Sequence, residues 1–326
     1  MTELKKFIMK SGFLSKLAKS SLFYCESVVG TRMARKQHKE ELKQVATVEA
    51  ALKRARMRWP NLQNDEKESP IFILSAGWRS GSTLLQRLIM SEGNVLVWGE
   101  PYSHAGLLEG LTMPIKALTK NWPDDRWFID QYAPAELSDL WVANLYPDVQ
   151  TLQKANLSYL QTLFKHPSER LGFSRWGVKD VRLTIDHAYF LKWLYPDAKF
   201  LFLYRNPYKA YMSYRPARSW YKQWPDQPVF TPKAFAEHWT ELLSGYIEGN
   251  KEVGGLLIKY EDLCGDCFDV EPLQDYLKLS IDKSVLKNKV GGSNAKSSDV
   301  PRYELRQVRS VVEPLAVSVG YKYGDW

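Results

Sequence analysis

Pro70-Ile-Phe-Ile-Leu-Ser-Ala-Gly-Trp-Arg-Ser-Gly-Ser-Thr-Leu-Leu-Gln-Arg-Leu-Ile-Met90 is the stretch on which the fold turns. Ile71 to Leu74 reads as a short buried strand. A turn of small residues, Ser75 to Thr83, leads into a helix whose Leu84, Leu85, Leu88 and Ile89 share one apolar face. Strand, small-residue turn and helix aim free backbone N–H groups and a positive helix end at an anion. Gly77 and Gly81 permit close backbone approach, and Ser80, Ser82 and Thr83 offer hydroxyls to phosphate oxygens. The turn is a phosphate cradle that departs from the P-loop of ATPases, which has Lys directly before its Ser/Thr. Ser82 fills that slot here, and the cation of the turn is Arg79.

Working outward, strand-like runs recur at Val95–Trp98, Gly177–Lys179, Lys199–Tyr204 and Gly255–Tyr260, separated by helical patterns and without a hairpin signal between neighbours. The expected architecture is three-layer α/β/α, with a mostly parallel central sheet covered by helices on both faces. Ligands of such sheets bind beyond the carboxyl ends of the strands, at a topological switch point. Arg79, Glu100, Lys179–Asp180 and Arg205 all fall just past strand ends. Lys199-Phe-Leu-Phe-Leu-Tyr204 ends in Arg205, followed by Asn206 at a helix N-cap and Pro207 at the first helical position. Ser213 follows about two turns later, where its hydroxyl can join Arg205 in gripping an anion. A Walker-B strand would end in Asp to hold magnesium.

Residues 102–176 are rich in aromatics (Trp122, Trp127, Tyr132, Trp141, Tyr146, Tyr159, Trp176) and carry turn signals at Pro114, Pro123, Pro134 and Pro147. They read as a helical insertion forming a wall or lid over the site for a small-molecule or glycan acceptor, its class left open among carbohydrate, lipid, phenol and peptide. The net charge of +8 sits in the N-terminal arm: residues 1–58 carry 14 Lys/Arg against 5 Asp/Glu, and the rest is close to neutral. A neutral body argues against nucleic acid as partner. Phe7, Ile8, Phe13, Leu14, Leu17, Leu22 and Phe23 recur at helical spacing among lysines, and Arg32 to Arg58 reads as a longer exposed helix. That pattern suits docking on the body or peripheral contact of residues 1–58 with an anionic membrane surface. The domain division drawn from this is an arm over 1–60 and a body over 61–326. No run approaches the roughly 20 apolar residues of a membrane span, and the first 30 lack the marks of a secretory signal. Cys25, Cys264 and Cys267 are too few for a disulfide framework, so a cytoplasmic location is expected. Cys264-Gly-Asp-Cys267 does not open a thioredoxin-type helix, and the five histidines show no metal spacing.

Two elements give the chain a resemblance. Arg79-Ser-Gly-Ser-Thr-Leu84 is similar to the 5′-phosphosulfate loop of sulfotransferases that use 3′-phosphoadenosine 5′-phosphosulfate (PAPS), and Arg205-Asn-Pro…Ser213 is similar to their 3′-phosphate element. Lys259-Tyr-Glu-Asp-Leu263 looks like the family's strand end. Within the family the pattern is closest to the protein-tyrosine and related bacterial sulfotransferases, where Gly-Glu after the second strand supplies the base and Lys-Asp follows the next core strand. Gly99-Glu100 and Lys179-Asp180 stand in those places. The resemblance spans residues 70 to about 300 and excludes the arm. It implies a PAPS-dependent sulfotransferase with no metal, releasing adenosine 3′,5′-bisphosphate (PAP). It also implies a donor site of Arg79, Ser80, Gly81, Ser82, Thr83, Arg205, Ser213, Tyr260 and Lys296. Where that group carries a further Arg, this chain has Ala217 between Arg215 and Arg218, and Gly291-Gly-Ser-Asn-Ala-Lys296 matches the cofactor-capping loop only loosely.

Glu100 is the expected general base, with His104 as competitor, since other branches of the family use His. Arg79 and Lys179 are the expected electrostatic stabilisers of the transfer. Two structural readings stay open: Glu100 as a carboxylate pairing with Arg79, and Lys179–Asp180 as a plain ion pair. A kinase, which would need a loop Lys and an acidic magnesium ligand, and a non-catalytic protein of the same fold are the competing classes.

Overall fold

Five strands form one parallel sheet: β1 (Ile71–Ser75), β2 (Val95–Gly99), β3 (Arg175–Asp180), β4 (Lys199–Tyr204) and β5 (Leu256–Lys259), in the order β2-β3-β1-β4-β5. In register, Ile71 lies opposite both Gly177 and Lys199, Val95 opposite Arg175, and Leu201 opposite Leu256. The computed structural model describes residues 47–62, 64–102, 105–119, 122–139, 141, 143–217, 229–265, 268–287 and 300–325. Most of the basic arm, His104, Arg218, Cys25, Cys267 and the Gly291–Lys296 loop therefore lie outside the described residues.

Strict alternation sorts the two faces of the sheet by chemistry. Ile71, Ile73, Val95, Val97, Leu201 and Leu203 build an aliphatic face with Leu85, Leu88 and Ile89 of helix α2 (Ser82–Met90) and with Leu273 and Leu277. The opposite face is aromatic. Phe72 meets Trp176, Tyr195 and Phe200 at ring separations of 5.9, 6.3 and 5.5 Å, and Tyr246 packs on Phe202 at 4.8 Å. Helices α4 (Ile185–Leu194) and α6 (Pro232–Gly249) frame that side. Burial on both faces is why β1 and β4 read as continuous apolar runs.

Val48–Arg58, read from sequence as part of an exposed arm, is a helix (α1) that buries Val48, Ala51, Leu52 and Ala55. Those residues fall at i, i+3, i+4 and i+7, an apolar stripe of small side chains hidden in a Lys/Arg-rich composition. The Val48 N–H donates to Asp186 Oδ1 at 3.1 Å, Arg54 donates to the Trp122 carbonyl at 2.7 Å, and Arg58 donates to Asp130 at 3.1 Å. The compact body accordingly begins at Thr47. A chain starting at Thr47 is expected to melt as the body of the full protein does. One starting at Asn61 should lose roughly 3 kcal/mol or more of apolar burial and several degrees in Tm. Equal melting of the two shortened chains would show that α1 contributes nothing to the body.

Between β2 and β3, the described segments begin as short 3-10 turns (Glu109–Thr112, Asp125–Trp127, Ile129–Gln131, Pro134–Glu136) rather than long helices. Regular structure resumes in α3 (Val149–Leu160), which runs through a π turn into His166–Arg170. The repeated prolines that signal turns in the sequence also keep the first part from extending as α-helix.

Candidate functional site

The carboxyl ends of all five strands lie at one edge of the sheet. The chain leaves β1 toward one side, returns through β3 and crosses to β4 on the other, so the end of β1 is the switch point. The turn that follows holds three residues in the left-handed region: Gly77 (φ 81°), Arg79 (φ 63°) and Gly81 (φ 94°). Arg79 is the costly one, because an L side chain pays steric strain there and the surroundings must hold it. They do: its Nε donates to Ser213 Oγ at 2.9 Å, and Arg205 Nη1 donates to its carbonyl at 2.9 Å.

Gly81 is the N-cap of α2 and supplies no side-chain cap, leaving the first helical N–H groups facing the turn. A Cβ at Gly81 would lie 2.1 Å from the ring of Tyr260, so only glycine fits. The Arg205 guanidinium covers the same ring at 4.4 Å from its centroid. Ser80 Oγ and Arg205 Nε are buried without a hydrogen-bond partner. Buried polar atoms of this kind mark where a polar ligand would satisfy the site.

Arg205 lies just before helix α5 (Pro207–Tyr214), whose N-cap Asn206 accepts the N–H groups of Tyr208 and Lys209 at Oδ1, at 3.0 and 3.1 Å. The Asn206 N–H donates to Glu261 Oε1 at 3.1 Å, and the Tyr321 hydroxyl donates to Glu261 Oε2 at 2.5 Å. The Tyr260-Glu261 pair thus works in two directions, a wedge under the turn and a latch on the helix start. Arg215 is taken by Glu304, its Nε donating to Oε2 at 2.7 Å.

Glu100 (φ 45°) and Tyr102 (φ 52°) give the turn after β2 two further left-handed residues. The Glu100 N–H donates to the Lys179 carbonyl at 2.7 Å, and the Lys179 ammonium contacts Glu100 Oε1. Lys179 pairs with Glu100, and among the described residues no ion pair joins Glu100 to Arg79 or Lys179 to Asp180. Asp180 is buried and accepts the Arg182 N–H at 2.8 Å. Burial first, then the charges of Glu109 and Glu100, push its pKa up to about 7. Arg182, wholly buried, donates to Glu109 Oε1 at 2.6 Å.

The turn residues 79–83, Arg205, Ser213 and Tyr260 thus meet at one point, and Glu100 with Lys179 stands at the same sheet edge. Ser213 Oγ accepts from Arg79 Nε, which ties the α5 hydroxyl to the turn. Sequence reasoning missed α6. Trp239 Nε1 donates to the Arg205 carbonyl at 3.1 Å, and the Tyr246 hydroxyl donates to the Leu183 carbonyl at 2.6 Å. Nothing in the local pattern of α6 distinguishes these from ordinary core aromatics. Among the described residues no helix is long and apolar enough to cross a membrane, and no group of three His, Cys, Asp or Glu side chains is arranged as a metal set.

Residues 70–282 match the profile of the sulfotransferase family. Among solved structures, the chain is similar to the sulfotransferase domain of the Synechococcus PCC 7002 olefin synthase (18% identity, 81% of this chain and 98% of that one, TM-score 0.43). It is also similar to the sulfotransferase domain of the curacin biosynthetic pathway (17%, 77% and 99%, TM-score 0.45) and to a mouse sulfotransferase solved with PAP (13%, 78% and 88%, TM-score 0.37). No curated protein matches. With the family profile spanning the sheet from β1 past β5, the chain belongs to the sulfotransferase family.

Proposed function

We propose that the protein transfers a sulfuryl group from PAPS to an acceptor hydroxyl, and that the acceptor is a small molecule or glycan. The observation that carries this reading is the pairing of two anion grips, Arg79 on the turn and Arg205 at the end of β4, tied by the bond from Arg205 to the Arg79 carbonyl. A donor with phosphates at two positions needs two grips held in fixed relation. The partnerless Ser80 Oγ and Arg205 Nε and the uncapped start of α2 fit such an anion.

In this reading Arg79, Ser80, Gly81, Ser82 and Thr83 hold the 5′-phosphosulfate. Arg205 and Ser213 hold the 3′-phosphate and Tyr260 backs the site, while Lys296, the remaining expected donor contact, lies outside the described residues. The donor, when bound, supplies the sulfuryl group and a phosphate leaving group. Glu100 takes the proton of the acceptor hydroxyl. Its Oε1 is engaged by Lys179, which orients the carboxylate and leaves Oε2 to receive the proton. Arg79 and Lys179 supply fixed positive charge where negative charge develops.

Thermal-shift titration tests the donor assignment. PAP without magnesium should stabilise the protein, ATP–magnesium should not, and Arg205→Ala should weaken PAP by about 2 kcal/mol or more, since it removes a charge-assisted contact. Stabilisation by ATP–magnesium alone would point to phosphoryl transfer instead. Transfer of labelled sulfate from PAPS then distinguishes an enzyme from a binding protein of the same fold.

A further inference from the structure

A cleft of about 240 Å³ opens beside the phosphate turn, lined by Arg182, Thr184, Ala234, Glu237, His238 and Glu241. Arg182 and Thr184 come just after β3, and the other four lie on α6. One side chain is shared by turn and cleft. The His238 imidazole packs against Trp78 of the turn with ring centroids 4.9 Å apart and planes tilted by 31°, and its Cδ2 is 3.4 Å from where a Cβ on Gly77 would sit. On its other side the same ring lines the cleft.

The tautomer of this ring follows from its partner. His238 Nε2 lies 3.3 Å from the Val181 carbonyl oxygen, which can only accept, so Nε2 carries the proton. Nδ1 is then a bare lone pair. Burial pushes the ring's pKa down to about 4, outweighing the carbonyl bond that raises it, and the charge of Arg182 adds to the fall. At neutral pH the imidazole stays an acceptor at Nδ1 and does not become a cation. At the mouth, Glu237 and Glu241 are exposed one helical turn apart, with Lys233 3.5 Å from Glu237. The Arg182 cation that also lines the cleft is paired with Glu109 at 2.6 Å, so an accepting imidazole and two carboxylates are left to favour groups that donate hydrogen bonds over anions.

We propose that this cleft is an acceptor subsite and that His238 determines specificity there, its Nδ1 accepting a hydrogen bond from a hydroxyl or ammonium group on the acceptor's non-reacting end. The proposal rests on the sulfotransferase reading above and names the substrate class: neutral polyols or amino alcohols in preference to carboxylates.

Nitrogen NMR of ¹⁵N-histidine-labelled full-length protein, with the His238 signal assigned by its loss in His238→Gln, tests it. The Nδ1 resonance should move on addition of methyl α-glucoside or 2-aminoethanol and stay still with glycolate, with or without PAP. Gln keeps an amide N–H near the Nε2 position and so preserves the bond to Val181, while removing the Nδ1 acceptor. His238→Gln should weaken these probes about tenfold with PAP affinity and Tm unchanged. Ala234→Phe, which fills the cleft away from the turn, should weaken them likewise. An Nδ1 signal that neither probe moves overturns the proposal. So does a His238→Gln variant that loses PAP affinity as much as probe affinity, because the ring would then only brace the turn. Failure of PAP to bind the unaltered protein would instead reject the donor reading, and the donor-free titration would still decide the cleft.

Discussion

Glu100→Gln should lower turnover by roughly 100-fold or more, the usual worth of a positioned general base, with PAP affinity little changed. The substitution keeps size and shape while removing the proton acceptor and the ion pair with Lys179. Lys179→Met removes the ion pair and keeps the carboxylate, so the two variants separate the roles. Turnover should fall further in Glu100→Gln than in Lys179→Met, because the second variant keeps the proton acceptor. His104→Asn should be mild by comparison. Near-normal turnover in Glu100→Gln would reject Glu100 as the base, and a collapse confined to His104→Asn would move that role to His104.

Gly81→Ala should be the most damaging single methyl in the turn. Its φ of 94° costs an L residue about 1–2 kcal/mol, and the added Cβ would meet the Tyr260 ring at 2.1 Å. The ring has little room to retreat, because Arg205 covers it at 4.4 Å. Overpacking of this kind adds about 1–3 kcal/mol. Calorimetry should therefore find PAP affinity reduced by two orders of magnitude or a Tm lowered by many degrees. Gly81→Ala combined with Tyr260→Ala should recover part of the loss by opening space. A single variant with unaltered Tm and PAP affinity would show that Tyr260 does not wedge the turn.

Much of this was legible in the residues. The five strand-like runs become the five strands within about two residues at each end, and β1 and β4 are the clearest because burial on both faces leaves an uninterrupted apolar signal. The strand-end positions of Arg79, Glu100, Lys179 and Arg205 follow once the strands are placed, since a parallel sheet aligns all its carboxyl ends. Partners were harder to read. Arg79 turns to Ser213, 134 residues away, and Lys179 to Glu100, 79 residues away. Such pairings depend on rotamers and strand neighbours that no local pattern encodes. Helix α1 was misread as exposed because its buried stripe is Val, Ala, Leu and Ala, too small to stand out among arginines. His238 gave no signal at all, being one histidine on a helix whose apolar face is ordinary.

The strand order also governs when this chain can begin to fold during synthesis. β1 and β2 are consecutive along the polypeptide yet never touch, since β3 lies between them. Among the described residues β2 has β3 as its only neighbour, and β1 is flanked by β3 and β4. A nascent chain that has emerged through residue 174 therefore holds two sticky apolar strands with no mate for either, and the centre of the sheet stays open on one side until Tyr204 is out. Long-range parallel pairing of this kind is slow, and unpaired edges expose the growing chain to aggregation. At about 5–20 residues per second, the wait between the two strands' appearance and the arrival of β4 lasts on the order of 5–20 s, an interval in which chaperones have the greatest opportunity to bind.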